Sequence, residues 1–486
     1  MGIVLTGSFS PSNDNSPVNS TITQKTGALD STVNTNNMSN SVFKSGGVNL
    51  NFSHKFDKKG TLLTFDGDYI RDISGDDQTF TNSSFLSNGT PLTSQTFIEN
   101  TPSYINIYAA KSDFTLPLNK TGKFEAGVKT SFVNTDNAAN YFNLVKGAFV
   151  PDYNNTNRFL YNENINAAYV NYSQSFGRLS VQAGLRAENT NGNGHQLGNV
   201  TQKDSSFANH YTSLFPTGYL SYKLDTAGHN TLTGSYGRRV GRPGYGQLNP
   251  FIFFVDEFSR FEGNPYLKPQ FTDVYKLAYS YKSLFTVALS YNYTYDFQNE
   301  LILHTGNLFI STNGNVGTRK NLDLSFNTNL APTKIWTINL FTDVFNNTFT
   351  GPLYTSNVSN SGTTFSGNMN NQFMLGKGWT AELSGSYHSP LVSGQFHLIA
   401  TGQVNAGIQK KILNNKGTLR LNCNDLFHSF VPAGTIYNSD GTSSNFRNFL
   451  DTRIVTLGFN YSFGKVFNDH QKRQTGSADD EKDRAH

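Results

Sequence analysis

The chain has a single cysteine, Cys423, in 486 residues, so an intrachain disulfide is impossible. Cys423 sits in the strand-like run Leu419 to Leu426, where it reads as a small hydrophobe; a reactive thiol needs a setting that lowers its pKa. Charged residues are only 15% of the total and the net charge is +4. That charge gathers into no stripe, so the electrostatic footprint of a nucleic-acid-binding protein is missing. No stretch approaches about 18 consecutive apolar residues, which excludes a membrane-spanning helix. Sustained i, i+3, i+4, i+7 apolar spacing is missing as well, which excludes the helical fold classes. No cysteine, histidine or carboxylate cluster has metal-ligand spacing, and Asp66-Gly67-Asp68 reads as two carboxylates on one face of a strand. No metal or other cofactor is expected.

Hydrophobic residues make up just 36%, a share that would suit a disordered chain, but 40 Phe and 24 Tyr would not. The aromatics have a pattern. From Phe285 to Tyr295 the sequence reads Phe-Thr-Val-Ala-Leu-Ser-Tyr-Asn-Tyr-Thr-Tyr, with large apolar or aromatic side chains at odd positions and small or polar ones at even positions. Successive side chains of a strand point to opposite faces, so this run has one apolar face, ending in Tyr291, Tyr293 and Tyr295, and one wet face. Phe124, Ala126, Val128, Thr130 and Phe132 alternate in the same way with Lys123, Glu125, Gly127, Lys129 and Ser131. Leu179, Val181, Ala183, Leu185 and Ala187 likewise alternate with Ser180, Gln182, Gly184, Arg186 and Glu188. Segments of about ten residues with an apolar outside, a polar inside and aromatic girdles are the signature of a transmembrane antiparallel β-barrel. A mean hydropathy of -0.44 does not oppose this, because in a barrel only alternate residues meet lipid.

Eight short turns punctuate the alternation: 56–60, 118–122, 175–178, 224–230, 281–284, 331–334, 375–378 and 414–417. Between them lie long polar segments, among them 10–40, 74–101, 189–210 and 241–269, which read as loops. Short turns at one end and long loops at the other match the periplasmic and extracellular ends of an outer-membrane barrel. Counting two strands per turn plus an opening and a closing strand gives about 18, uncertain by a few because loop hairpins such as 301–312 can rise above the membrane. The last strand puts Val455, Leu457, Phe459, Tyr461 and Phe463 on one face. A terminal strand ending in an aromatic resembles the signal read by the outer-membrane barrel assembly machinery. Residues 1–466 are therefore expected to form the barrel, in contact with outer-membrane lipid, and 467–486 a charged, solvated periplasmic tail.

The most specific stretch contains Arg242-Pro243, then Leu248-Asn249-Pro250-Phe251, then Gly263-Asn264-Pro265-Tyr266-Leu267-Lys268-Pro269. It resembles the extracellular-loop signature of TonB-dependent outer-membrane receptors, and its wording is closest to the Bacteroidetes outer-membrane β-barrel family. The blocks Gly127 to Phe132 and Glu163 to Tyr169 belong to the same resemblance. Physically, Pro265 and Pro269 fix φ and remove amide donors, so the stretch between them reads as a stiff, extended approach that sets the register of the strand near Phe271. Asn264, Pro265 and Lys268 are accordingly expected to shape the loop rather than to touch a ligand. Phe251, Phe253, Phe254 and Phe258 either line a binding vestibule or form a hydrophobic cluster beneath a long loop.

The resemblance implies a barrel of about 22 strands with a plug domain inside it, on which TonB acts. Neither plug nor TonB-binding segment is visible in the sequence. Met1 to Thr6 does not read as a signal peptide, and Ile3, Leu5 and Phe9 already alternate as a strand. The expectation is thus a Gram-negative outer-membrane protein: the C-terminal barrel portion of a nutrient receptor, or alternatively a passive porin-like channel or a surface-exposed adhesin. An enzyme is not expected. His388 and His397 flank a connection near Ser386 and Ser389, but no carboxylate there can orient a histidine base.

Overall fold

The computed structural model describes residues 1–24, 26–305, 308–353, 356–438, 441–463 and 476–485. Its long strands are β1 (Gly2–Thr23), β2 (Leu29–Lys55), β3 (Leu62–Leu86), β4 (Ser103–Pro117), β5 (Gly122–Val145), β6 (Asn157–Phe176), β7 (Leu179–Leu197), β8 (Ser205–Lys223) and β9 (Asn230–Gly241). They continue as β10 (Gln270–Tyr281), β11 (Phe285–Tyr295), β12 (Thr318–Thr333), β13 (Trp336–Leu353), β14 (Ser356–Gly376), β15 (Trp379–His388), β16 (Thr401–Ile412), β17 (Gly417–Cys423) and β18 (Val455–Tyr461). Each is antiparallel to the next, an all-β meander. Two short strands, Pro91–Asn100 and Ala148–Pro151, extend hairpin loops of the same 20-stranded sheet. The sheet is not closed: among the described residues β1 pairs with β2 alone and β18 with β17 alone.

All eight short turns join the strands that the alternation assigns to them. Their chemistry is local. In the first, the Asp57 carboxylate accepts the Gly60 and Thr61 amides at 2.9 and 3.0 Å, and Gly60 takes φ 102°, a value that favours a residue without a Cβ. The opposite ends differ from expectation. Three of the four long polar segments are not loops, because β1 runs on to Thr23 and β2 starts at Leu29, β3 runs to Leu86, and β7 and β8 approach each other to Leu197 and Ser205. β2 alone has 27 residues, whereas crossing a bilayer takes about 9–11, so these hairpins stand well above the membrane. They are held by polar rungs across the sheet: Thr35 to Asn82 (2.7 Å), Asn37 to Gln78 (2.7 Å) and Asn134 to Asn162 (2.6 Å). The period of two persists there, but between one polar residue and another, so hydropathy does not reveal it.

The faces are those the alternation requires. On β11, Leu289 is 48% exposed and lies between Leu277 of β10 and Leu324 of β12, both exposed, while Ala288 and Thr294 of the other face are buried. Val128 and Phe132 of β5 point outward and Lys129 and Ser131 inward. The outward residues Val455, Leu457, Phe459, Tyr461 and Phe463 of the last strand and its end are all exposed, which suits a lipid-facing stripe. Replacing Leu289 by Arg should destabilise the folded protein in bilayers by roughly 2–4 kcal/mol, whereas Arg at Ser290, on the inner face, should cost much less. Urea titrations of both variants in lipid vesicles check this; equal losses would contradict the assignment of faces.

Candidate functional site

One long segment does fold as a loop. Residues 242–269, between β9 and β10, turn back onto the inner wall formed by β3 to β7. Arg242 starts the descent: its guanidinium donates to the Glu188 carboxylate of β7, which Arg186 also engages, and to the Tyr211 hydroxyl at 3.3 Å. This buried cation is therefore paired, as burial of a charge requires. Pro243 follows, then Tyr245, and a single 3-10 turn at Gly246–Leu248. The Asn249 side chain meets Asn137 of β5 at 3.1 Å, and the Pro250 carbonyl accepts from Asn157 of β6 at 3.5 Å.

An apolar cluster lies between loop and wall. Phe80, Phe97, Ile107, Val133, Tyr141 and Phe159 of the wall and its hairpin extension pack against Tyr245, Leu248, Phe251 and Leu267 of the loop. Ile107 is 0% exposed although it points inward, because the loop covers it. Phe253 and Phe254 pack against the same cluster, with the Phe254 ring 5.1 Å from Phe97 and 5.7 Å from Tyr141. Phe251 lies within that cluster, 3% exposed. The Phe258 carbonyl accepts the Phe309 amide at 2.7 Å.

The return limb differs from a stiff extended run. Asn264 makes a turn, its side chain accepting the Tyr266 amide at 2.9 Å and its carbonyl the Leu267 amide at 3.3 Å. Its side-chain amide also donates to the Asn313 carbonyl at 2.9 Å, and Asn315 accepts the Lys268 amide, tying the limb to the hairpin 298–315. Pro265 sits within this turn, and β10 begins at Gln270, directly after Pro269. Gly263 is where the two limbs touch. A Cβ there would overlap the Asn249 carbonyl. Glu99, in the hairpin beside the cluster, is buried, and its carboxyl is pushed up to about 7 by that burial.

The sequence pattern missed a second component. Residues 467–486 read as a solvated tail, yet Ser477, Ala478 and Glu481 are buried against the inner wall. The reason is charge complementarity: Lys129 of β5 pairs with Glu481 and Asp480 at 3.0 and 3.2 Å, and Glu163 of β6 receives the Arg484 guanidinium through both oxygens. Residues 467–475 and 486 of that tail, and 464–466 before it, lie outside the described residues. Among the described residues the histidines form no comparable centre. Ser389 Oγ accepts the Phe365 amide, and His397 packs edge-on against Tyr437. Among the described residues no group of three or more His, Cys, Asp or Glu is placed to hold a metal ion.

If loop and wall pack as one unit, Gly263→Ala should loosen both, at a cost of about 1–3 kcal/mol. Limited proteolysis should then cut residues 242–269 faster than in the parent while the strands stay protected. An unchanged digestion rate would show that the two limbs do not touch as described.

The fold has known counterparts. The ferric yersiniabactin uptake receptor FyuA from Yersinia pestis aligns over 95% of this chain and 76% of its own, with 12% identity and a TM-score of 0.54. The siderophore receptor PiuA from Acinetobacter baumannii aligns over 95% and 82%, with 9% identity and a TM-score of 0.55. The ferric-catecholate import receptor Fiu from K12 E. coli aligns over 95% and 81%, with 11% identity and a TM-score of 0.54. At such identities the likeness is one of fold, and it agrees with the resemblance carried by the loop. No curated protein matches the sequence. Residues 54–461, most of the chain, match the outer membrane protein beta-barrel family, and the protein belongs to that family.

Proposed function

We propose that this chain is the barrel portion of a TonB-dependent outer-membrane receptor that imports a nutrient. The observation that carries the reading is the loop 242–269. It is drawn onto the inner wall and fixed there by Arg242, Asn249, Leu248, Phe251 and Leu267, instead of standing clear of an open aqueous pore. A passive porin of this strand number leaves an aqueous channel through its lumen. The receptor reading needs the opposite, an inner wall that engages other structure.

The edges of β1 and β18, unpaired among the described residues, support the second part of the proposal, that more strands complete the barrel. An open sheet edge leaves backbone amides and carbonyls without partners, which the hydrocarbon region does not tolerate. With 18 long strands in this meander and about 22 in plugged outer-membrane transporters, a gap of about four between β18 and β1 suits strands from a preceding part of the same polypeptide. The plug would come from there, and TonB would reach the barrel only through it. The stripe Val455, Leu457, Phe459, Tyr461 and Phe463 would then serve the barrel assembly machinery as its recognition strand.

The reading has a direct test in the DNA upstream of the Met1 codon, followed by reconstitution. We expect an in-frame or frame-shifted continuation encoding a plug and the remaining strands, and no conductance that is independent of TonB. An unrelated upstream gene, together with steady TonB-independent conductance of the 486-residue chain in a planar bilayer, would establish the passive channel instead.

A further inference from the structure

Two buried charges on the inner wall find their counter-ions in one place. Glu163, whose side chain is 4% exposed, accepts hydrogen bonds from Tyr161 (3.0 Å) and Tyr245 (3.3 Å) and forms its salt bridge with Arg484. Lys129, 7% exposed, forms its ion pairs with Asp480 and Glu481. Isolated, either group would be a charge set into a largely apolar wall; together they present an anion and a cation matched to the spacing Glu481-x-x-Arg484. We propose that this wall is a binding site for an arginine-bearing acidic peptide, and that residues 477–485 of the same chain are its tethered ligand.

The segment has the form of a ligand seated on a site. Its buried or half-buried residues, Ser477, Ala478, Glu481, Arg484 and Ala485, recur at the spacing of one helix face, while Asp479, Asp480, Lys482 and Asp483 are exposed. A solvated tail would show no such segregation. The contacts run along its whole length. Ser477 donates to Asp68 of β3, and Ala485 packs on the apolar cluster. The Arg484 guanidinium lies 4.3 Å from the Tyr245 ring centre and donates to the Pro243 carbonyl at 2.9 Å, and the Tyr245 amide donates back to the Arg484 carbonyl at 3.0 Å. The ligand thus touches the signature loop as well as the wall, so whatever displaces it also removes its contacts with Pro243 and Tyr245. The inference adds an internal occupant to the receptor reading, and it does not depend on which nutrient is carried.

Labelling kinetics on the full chain test it. With Cys423→Ser removing the native thiol, single cysteines are placed at Ala478 or Asp483 and reacted with a membrane-impermeant maleimide in detergent micelles. We expect Ala478→Cys to react about tenfold or more slowly than Asp483→Cys, as a locally protected site does. Arg484→Gln and Glu163→Gln should each bring the two rates together, and a free peptide of residues 476–486 in excess should do the same. Trypsin cleavage after Lys482 in the otherwise unmodified chain gives a second readout: slow in the parent, fast with Arg484→Gln. Equal labelling rates in the parent, with Lys482 cleaved equally fast with and without Arg484, would overturn the proposal. If the circular dichroism spectrum stayed β-dominated, the barrel reading would survive that result.

Discussion

Backbone hydrogen bonding in a medium without water is the constraint on which this structure depends. In hydrocarbon each unpaired amide or carbonyl costs several kcal/mol, so a strand that crosses must be bonded on both sides. That requirement produces the uninterrupted antiparallel meander from β1 to β18, and it makes the two free edges the one feature the described chain leaves unresolved by itself. The period of two follows, since each crossing strand must show apolar side chains to lipid and may show anything to the lumen. Leu277, Leu289 and Leu324 form such a lipid-facing row across three strands.

The inner face is where this barrel departs from a plain channel wall. Between β3 and β7 it carries Ile107, Val133, Tyr141 and Phe159, an apolar surface that must be covered, and Lys129, Glu163 and Glu188, charges that must be paired. The loop 242–269 supplies the cover together with Arg242, and residues 477–485 supply the counter-ions of Lys129 and Glu163. Both elements converge on Tyr245, whose backbone meets Arg484 and whose hydroxyl meets Glu163. Loop, wall and tail therefore form one connected unit.

What was legible in the sequence follows the same physics. Strands with an apolar outer face announced themselves: 285–295, 123–132 and 179–188 have the faces read from their alternation, and the eight turns sit where Lys, Gly, Asn and Asp cluster. The hairpin extensions were missed because Thr35, Asn37, Asn82 and Gln78 alternate in role but not in polarity. The signature loop was found by its prolines, yet its burial was not, because Leu248, Phe251 and Leu267 are too sparse to form a periodic face. The tail misled for another reason. Its charges read as solvation, and only the wall residues Lys129 and Glu163, more than 300 positions away in sequence, reveal that they are partners. A weak signal existed in the spacing of Ala478, Glu481 and Ala485, but one helical turn is too short to stand out.

The central claim, that these strands cross a bilayer with one face in lipid and one toward a lumen, is tested most directly by a nitroxide scan of residues 285–295 in lipid vesicles with Cys423 replaced by Ser. Accessibility to oxygen, which partitions into lipid, should peak at Val287, Leu289 and Tyr291, and accessibility to a polar nickel chelate should be low at those same positions, with a strict period of two. A period near 3.6, or uniform accessibility to the chelate along the segment, would contradict it.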